Sequence, residues 1–98
     1  FTLSFFGEEH RKALGYLGTV SGRDEDKISK SGLTPIQVEG APTFEEAEIT
    51  MVCRKLFAQE YLEKSFISSD AEELVKNWYP EKDFHTLYIA EVLHIFEK

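Results

Sequence analysis

The stretch Asp83–Phe96 restricts the fold more than any other part of the chain. Its residues alternate with a period of two: His85, Leu87, Ile89, Glu91, Leu93 and Ile95 on one side, Phe84, Tyr88, Val92 and Phe96 on the other. That period is the mark of a β-strand. Both sides are rich in apolar residues, so the strand is expected to be buried on most of both faces. It also has two edges, and open strand edges have to be paired or covered.

The rest of the chain supplies few partners. Phe1–Phe6 alternates apolar residues with Thr2 and Ser4 and reads as a strand ended by Gly7. From Glu8 to Leu17 the period becomes helical, with Ala13, Leu14 and Leu17 on one face, acidic residues in the first turn and Gly18 as a stop. Asp24 can cap a short helix ending at Gly32, and "LTPIQVEGAP" reads as an extended segment and a turn. Ala47–Gln59 suits helix or strand by pattern, but Ile49, Thr50 and Val52 are β-branched and favour strand. Ser69 and Glu72 have capping-box spacing for a helix stopped by Pro80, with Leu74, Val75 and Trp78 as its apolar face and Trp78 as anchor. The order is that of an α+β fold with antiparallel pairing. Three or four strands cannot close a barrel, so the edges of Phe1–Phe6 and Phe84–Phe96 call for another chain or further strands.

Ninety-eight residues suit one domain, and 42% hydrophobic residues provide for a core. A net charge of −7 repels phosphate backbones and makes nucleic acid a poor partner. No apolar run approaches the roughly 20 residues a bilayer requires. The one cysteine, Cys53, cannot form an internal disulfide and points to a reducing, cytoplasmic setting. In a buried strand it reads as packing, and His10 and His94 lack metal-ligand spacing.

Three stretches in order resemble the flavin reductase-like, or flavoredoxin-like, family of FMN-binding split-barrel proteins. They are "FTLSFFGEEHRKALGYLG", "SGRDEDKISKSGL" and "KDFHTLYIAEV", with "EITMVCRKLFAQ" fitting a family strand. Val52 stands where the family often has Glu, Ala90 where it commonly has Gly, and Phe84 separates Asp83 from His85. The resemblance covers essentially the whole chain and implies the C-terminal portion of a split β-barrel, antiparallel strands with two to three helices, whose N-terminal strands are missing. It also implies non-covalent FMN, electron transfer between NAD(P)H and flavin or a partner redox protein, and a homodimer.

On that resemblance Ser21, Gly22, Arg23 and Lys27 are the cofactor-binding candidates. A phosphate or a polar flavin edge calls for backbone N–H groups, a hydroxyl and a cation, and a glycine permits close approach. The alternative is that Arg23 and Lys27 pair with Asp24, Glu25 or Asp26 on a solvated surface. His85 is the catalytic candidate: in the family a histidine at this point lies near the flavin, and its near-neutral pKa suits a site beside a reduced ring. The alternative is a strand-end histidine bonded to a backbone carbonyl. Two other functional readings stay open: an inactive, truncated piece of such a protein, and a small α+β ligand-binding module.

Overall fold

The computed structural model describes residues 1–98. Along the chain run β1 (Thr2–Phe5), α1 (Arg11–Thr19), α2 (Lys27–Ser31), β2 (Pro35–Val38), β3 (Ala41–Phe44), β4 (Ile49–Glu60), α3 (Ser69–Trp78) and β5 (Thr86–Glu97), with 3-10 turns at Glu8–His10 and Glu63–Ser65. The fold is α+β, with antiparallel strands in two sheets and no closed barrel, consistent with part of a split barrel.

The larger sheet has the order β1-β4-β5. β1 pairs antiparallel with β4, Thr2 opposite Val52 and Phe5 opposite Ile49. β4 and β5 run antiparallel too: the Lys98 amide donates to the Glu48 carbonyl, and Arg54 bonds Glu91 at 2.7 Å. The β-branched run Ile49, Thr50 and Val52 thus lies in a strand, as its composition predicts, and that strand is the central one of the sheet.

The segment after Leu33 is a full hairpin rather than one extended piece and a turn. β2 and β3 pair from Pro35 opposite Phe44 to Val38 opposite Ala41. Glu39 and Gly40 join them with φ of 51° and 74°, the two positive angles of a type I′ loop. Gly32, at φ 80°, ends α2 in the left-handed conformation.

The chain forms two compact units, Phe1–Arg54 with Glu91–Lys98, and Lys55–Ala90. The first holds the buried core: Leu33, Ala47, Val52 and Cys53, with Thr43 and Thr50 buried among them. The two threonine hydroxyls satisfy each other at 3.2 Å, and Thr43 also meets Ser4 at 2.8 Å. The second unit has no buried residue; its centre is a half-buried aromatic group of Phe66, Tyr79 and Phe84.

The local expectations for α1, α2, α3, Trp78 and β5 are corrected. α1 begins at Arg11 and runs through Gly18 to Thr19. Its half-buried face is Ala13, Tyr16 and Leu17, while Leu14 is exposed. α2 is capped by Asp26, not Asp24, because the amides of Asp24 and Glu25 both turn back onto the Ser21 carbonyl and delay the helix. α3 is capped by Ser68, whose hydroxyl accepts from the Asp70 amide, and its inward face is Ala71, Val75 and Tyr79. Trp78, expected to anchor that helix, is 70% exposed, since one position along a helix turns a side chain by about 100°. Finally, β5 is not buried on both faces: ten of its twelve residues are exposed. Alternation fixes which faces a strand has, and only a packed neighbour buries them.

Candidate functional site

The loop between α1 and α2 brings Ser21, Gly22, Arg23 and Lys27 together. The Ser21 hydroxyl accepts from the Arg23 amide at 3.2 Å, which closes a tight turn. Lys27 folds back over the end of α1, its Nζ donating to the carbonyls of Leu17 at 2.9 Å and Val20 at 3.1 Å. A cation at a helix C-terminus satisfies carbonyls left over there and complements the helix dipole. A second tie runs from the Tyr16 hydroxyl, which donates to Glu25. That bond holds the Glu25 carboxyl below the usual carboxylate range and pushes the Tyr16 phenol up to about 12. Lys30 adds an ion pair to Glu25 at 3.5 Å.

These contacts sort the charges of the loop. Glu25 is engaged by Tyr16 and Lys30, Asp26 by the amide and hydroxyl of Ser29, and Lys27 by two carbonyls. Arg23 makes neither an ion pair nor a side-chain hydrogen bond, so its guanidinium stands free beside the exposed Gly22. A side chain at Gly22 would meet only the Lys27 Cε, at 3.8 Å, so the backbone there is open to an approaching group. The N-terminus of α2 is not open to an anion, because the Asp26 carboxylate already caps it. For a phosphate the loop therefore fits through Arg23 and the open Gly22 backbone, with Lys27 as the residue that shapes it.

His85 belongs to the other unit, at the entrance to β5. Its Nδ1 lies 2.9 Å from the Tyr79 hydroxyl, and the two rings meet edge to face at 5.0 Å. Its backbone carbonyl accepts from the Tyr61 amide at 2.9 Å. The ring thus bonds a tyrosine hydroxyl instead of a backbone carbonyl, a partner six residues away that the sequence did not suggest. Tyr79 in turn packs against Phe84 at 5.0 Å and Phe66 at 6.1 Å.

A cavity of about 360 Å³ adjoins this group. Phe66, Val75, Tyr79 and Pro80 form its apolar wall, and the Glu63–Lys82 ion pair, at 3.3 Å, stands among its polar lining. Sequence reading missed it, although the density of aromatic residues between Tyr61 and Phe84 was a signal. No group of three or more His, Cys, Asp or Glu is placed to hold a metal, and no helix is long and apolar enough to cross a membrane.

The α+β arrangement of antiparallel strands is consistent with part of a split barrel. The chain belongs to the flavin reductase-like family: the model of the flavin reductase like domain matches it over residues 1–98. No curated protein and no solved structure matches it.

Proposed function

We propose that this chain binds FMN and transfers electrons between NAD(P)H and the flavin, or onward to a partner redox protein, as a homodimer in the cytoplasm. The observation that carries this reading is the family match across the whole chain. The free Arg23 guanidinium beside the open Gly22 backbone supports FMN over riboflavin, because only a phosphorylated flavin gives a forked cation its anion. Bound flavin supplies the redox chemistry itself. Arg23 and the Gly22 and Ser21 backbone hold the phosphate, and Lys27 keeps the loop in shape by closing α1. His85 meets the nicotinamide or the ring, with its imidazole oriented by the Tyr79 hydroxyl. The free, buried Cys53 suits a reducing compartment.

Titration of FMN and riboflavin, followed by flavin fluorescence, tests the proposal. FMN binding is expected to be at least about tenfold tighter, the worth of a charge-assisted pair of hydrogen bonds. Arg23→Ala should bring FMN down to the riboflavin value and leave riboflavin unchanged. His85→Gln should slow NAD(P)H oxidation while keeping FMN bound. A chain that takes up no flavin, or an Arg23→Ala variant with unaltered FMN affinity, would overturn the reading.

A further inference from the structure

The Lys55–Ala90 unit contains a cavity of about 360 Å³ that His85 does not line. All of its lining comes from one short stretch, Glu63–Lys82, so it owes nothing to the open edge of any strand. Its volume is that of small-molecule sites, and at about 30 Å³ for each water-sized group it takes roughly a dozen non-hydrogen atoms.

Local contacts frame the cavity. The Phe66 amide donates to the Glu63 carbonyl at 3.2 Å, and the Tyr79 amide to the Val75 carbonyl at 2.8 Å. The Lys82 amide donates to the Tyr79 carbonyl at 3.0 Å, closing a turn with Pro80 at its second position. Lys82 leaves that turn at φ 60°, in the left-handed region that a residue with a side chain adopts only at a cost. Glu39 has a similar angle, but there a two-residue hairpin loop requires it. At Lys82 the strained backbone goes with an ammonium 3.3 Å from the Glu63 carboxylate, which ties the two ends of the stretch together at the cavity. Backbone strain of this kind gathers at ligand sites.

The lining has an apolar part and a charged part. Phe66 and Tyr79, their ring centres 6.1 Å apart, join Val75 and Pro80 in a wall on which an aromatic ring can pack. Glu63 and Lys82 neutralise each other. Glu72 and Lys76 remain, one turn apart on α3, and neither makes an ion pair or a side-chain hydrogen bond. One free carboxylate and one free ammonium thus stand beside an aromatic wall. A ring bearing both an ammonium and a carboxylate complements that set. A plain aromatic acid would put an anion against Glu72, in a chain whose net charge is already −7, and a plain aromatic amine would put a cation against Lys76.

We propose that this cavity is a binding site for a free aromatic amino acid, with its ring against Phe66 and Tyr79, its carboxylate at Lys76 and its ammonium at Glu72. The site is separate from the flavin reading and does not rest on it.

Calorimetric titration of the whole chain with L-phenylalanine, in the absence of flavin, tests the proposal. A ligand of this size held by two exposed charges is expected to bind with a dissociation constant of about 0.1–2 mM. Phenylpropionate, which lacks the ammonium, and phenylethylamine, which lacks the carboxylate, should each bind about fivefold more weakly, and glycine, which lacks the ring, should give no measurable heat. Lys76→Met should erase the advantage of phenylalanine over phenylethylamine, and Glu72→Gln its advantage over phenylpropionate; both are exposed changes that spare the fold. Resonances shifted by phenylalanine in the NMR spectrum should centre on Phe66, Val75 and Tyr79. Absence of saturable binding up to about 20 mM, equal binding of the three aromatic ligands, variants that change neither preference, or shifts centred outside Glu63–Lys82 would each overturn the proposal. Because FMN takes no part in the titration, none of these outcomes depends on whether the chain binds flavin.

Discussion

Replacing Lys27 by Met removes an ammonium and keeps most of the aliphatic stem, so it isolates the two hydrogen bonds that close α1. Those bonds, to Leu17 at 2.9 Å and Val20 at 3.1 Å, are charge-assisted. Such bonds are worth about 1.5–3 kcal/mol each where water is excluded. Lys27 is only half-buried, so water takes over the freed carbonyls and most of that value is recovered. Adding the small helix-dipole contribution of a cation at a C-terminus, the net loss comes to about 1.5 kcal/mol. For a chain of this length that lowers the melting temperature by roughly 6–12 °C. Urea and thermal denaturation followed by circular dichroism would measure it. Arg23→Met provides the contrast, because Arg23 has no partner to lose: stability should stay within about 0.3 kcal/mol of the parent while FMN affinity falls. If Lys27→Met is as stable as the parent, or Arg23→Met is equally destabilised, the division of labour between the two cations is wrong.

Glycine substitutions should split by backbone angle. Gly15→Ala, inside α1 with open space around it, should add about 0.5–1 kcal/mol, whereas Gly40→Ala, at φ 74°, should cost about 1–2 kcal/mol in the same urea titration. Trp78→Ala should cost under about 1 kcal/mol despite the size of the residue, because the ring is mostly in water; Tyr79→Ala should cost about 2 kcal/mol, since it empties the centre of the aromatic group. Acid should weaken the first unit through Glu46, whose carboxylate accepts from the Thr34 amide at 2.9 Å and is held below the usual range chiefly by that bond. Its folded pKa lies below its unfolded one, so the stabilisation is present above the ordinary carboxylate range and is lost as pH falls through the lowered value. Urea midpoints measured against pH should show a flatter acid limb in Glu46→Gln.

The elements that sequence reading located are those written locally. Ile49, Thr50 and Val52 settle β4 because β-branched side chains prefer extended backbone wherever the strand is placed. The stretch "LTPIQVEGAP" announces a turn, but the second strand past it, Ala41–Phe44, needs a partner to become visible. The one-residue slip at α3 shows how thin a capping signal is: Ser68 and Ser69 are adjacent serines, and moving the cap turns the inward face from Trp78 to Tyr79. In the candidate site, Arg23 and Lys27 look alike as letters. What separates them is a carbonyl pair ten and seven residues back along the chain, which only the folded end of α1 presents. The Tyr79–His85 contact has the same character, since it depends on the chain turning between α3 and β5. β5 marks the limit most sharply, its period legible in full and its burial not legible at all.

That contrast between locally and distantly determined features bears on how stability is distributed. All the buried residues lie in the unit of Phe1–Arg54 with Glu91–Lys98, while the Lys55–Ala90 unit is held by half-buried aromatic rings. Burial of apolar surface is the main term resisting local opening, so the two units should open at different free energies. Amide hydrogen exchange should find the strongest protection at Thr50–Cys53, in the central strand paired with β1, and fast exchange through Glu63–Asp83. His85 stands at the edge of the weaker unit, held by one side-chain hydrogen bond and one ring contact. A ligand that engages it would limit that freedom, and protection from Tyr61 to His85 should rise when NAD(P)H is added to the FMN-loaded chain. Equal protection in the two units would show that the aromatic group is as strong as the buried core, and would refute this division of stability.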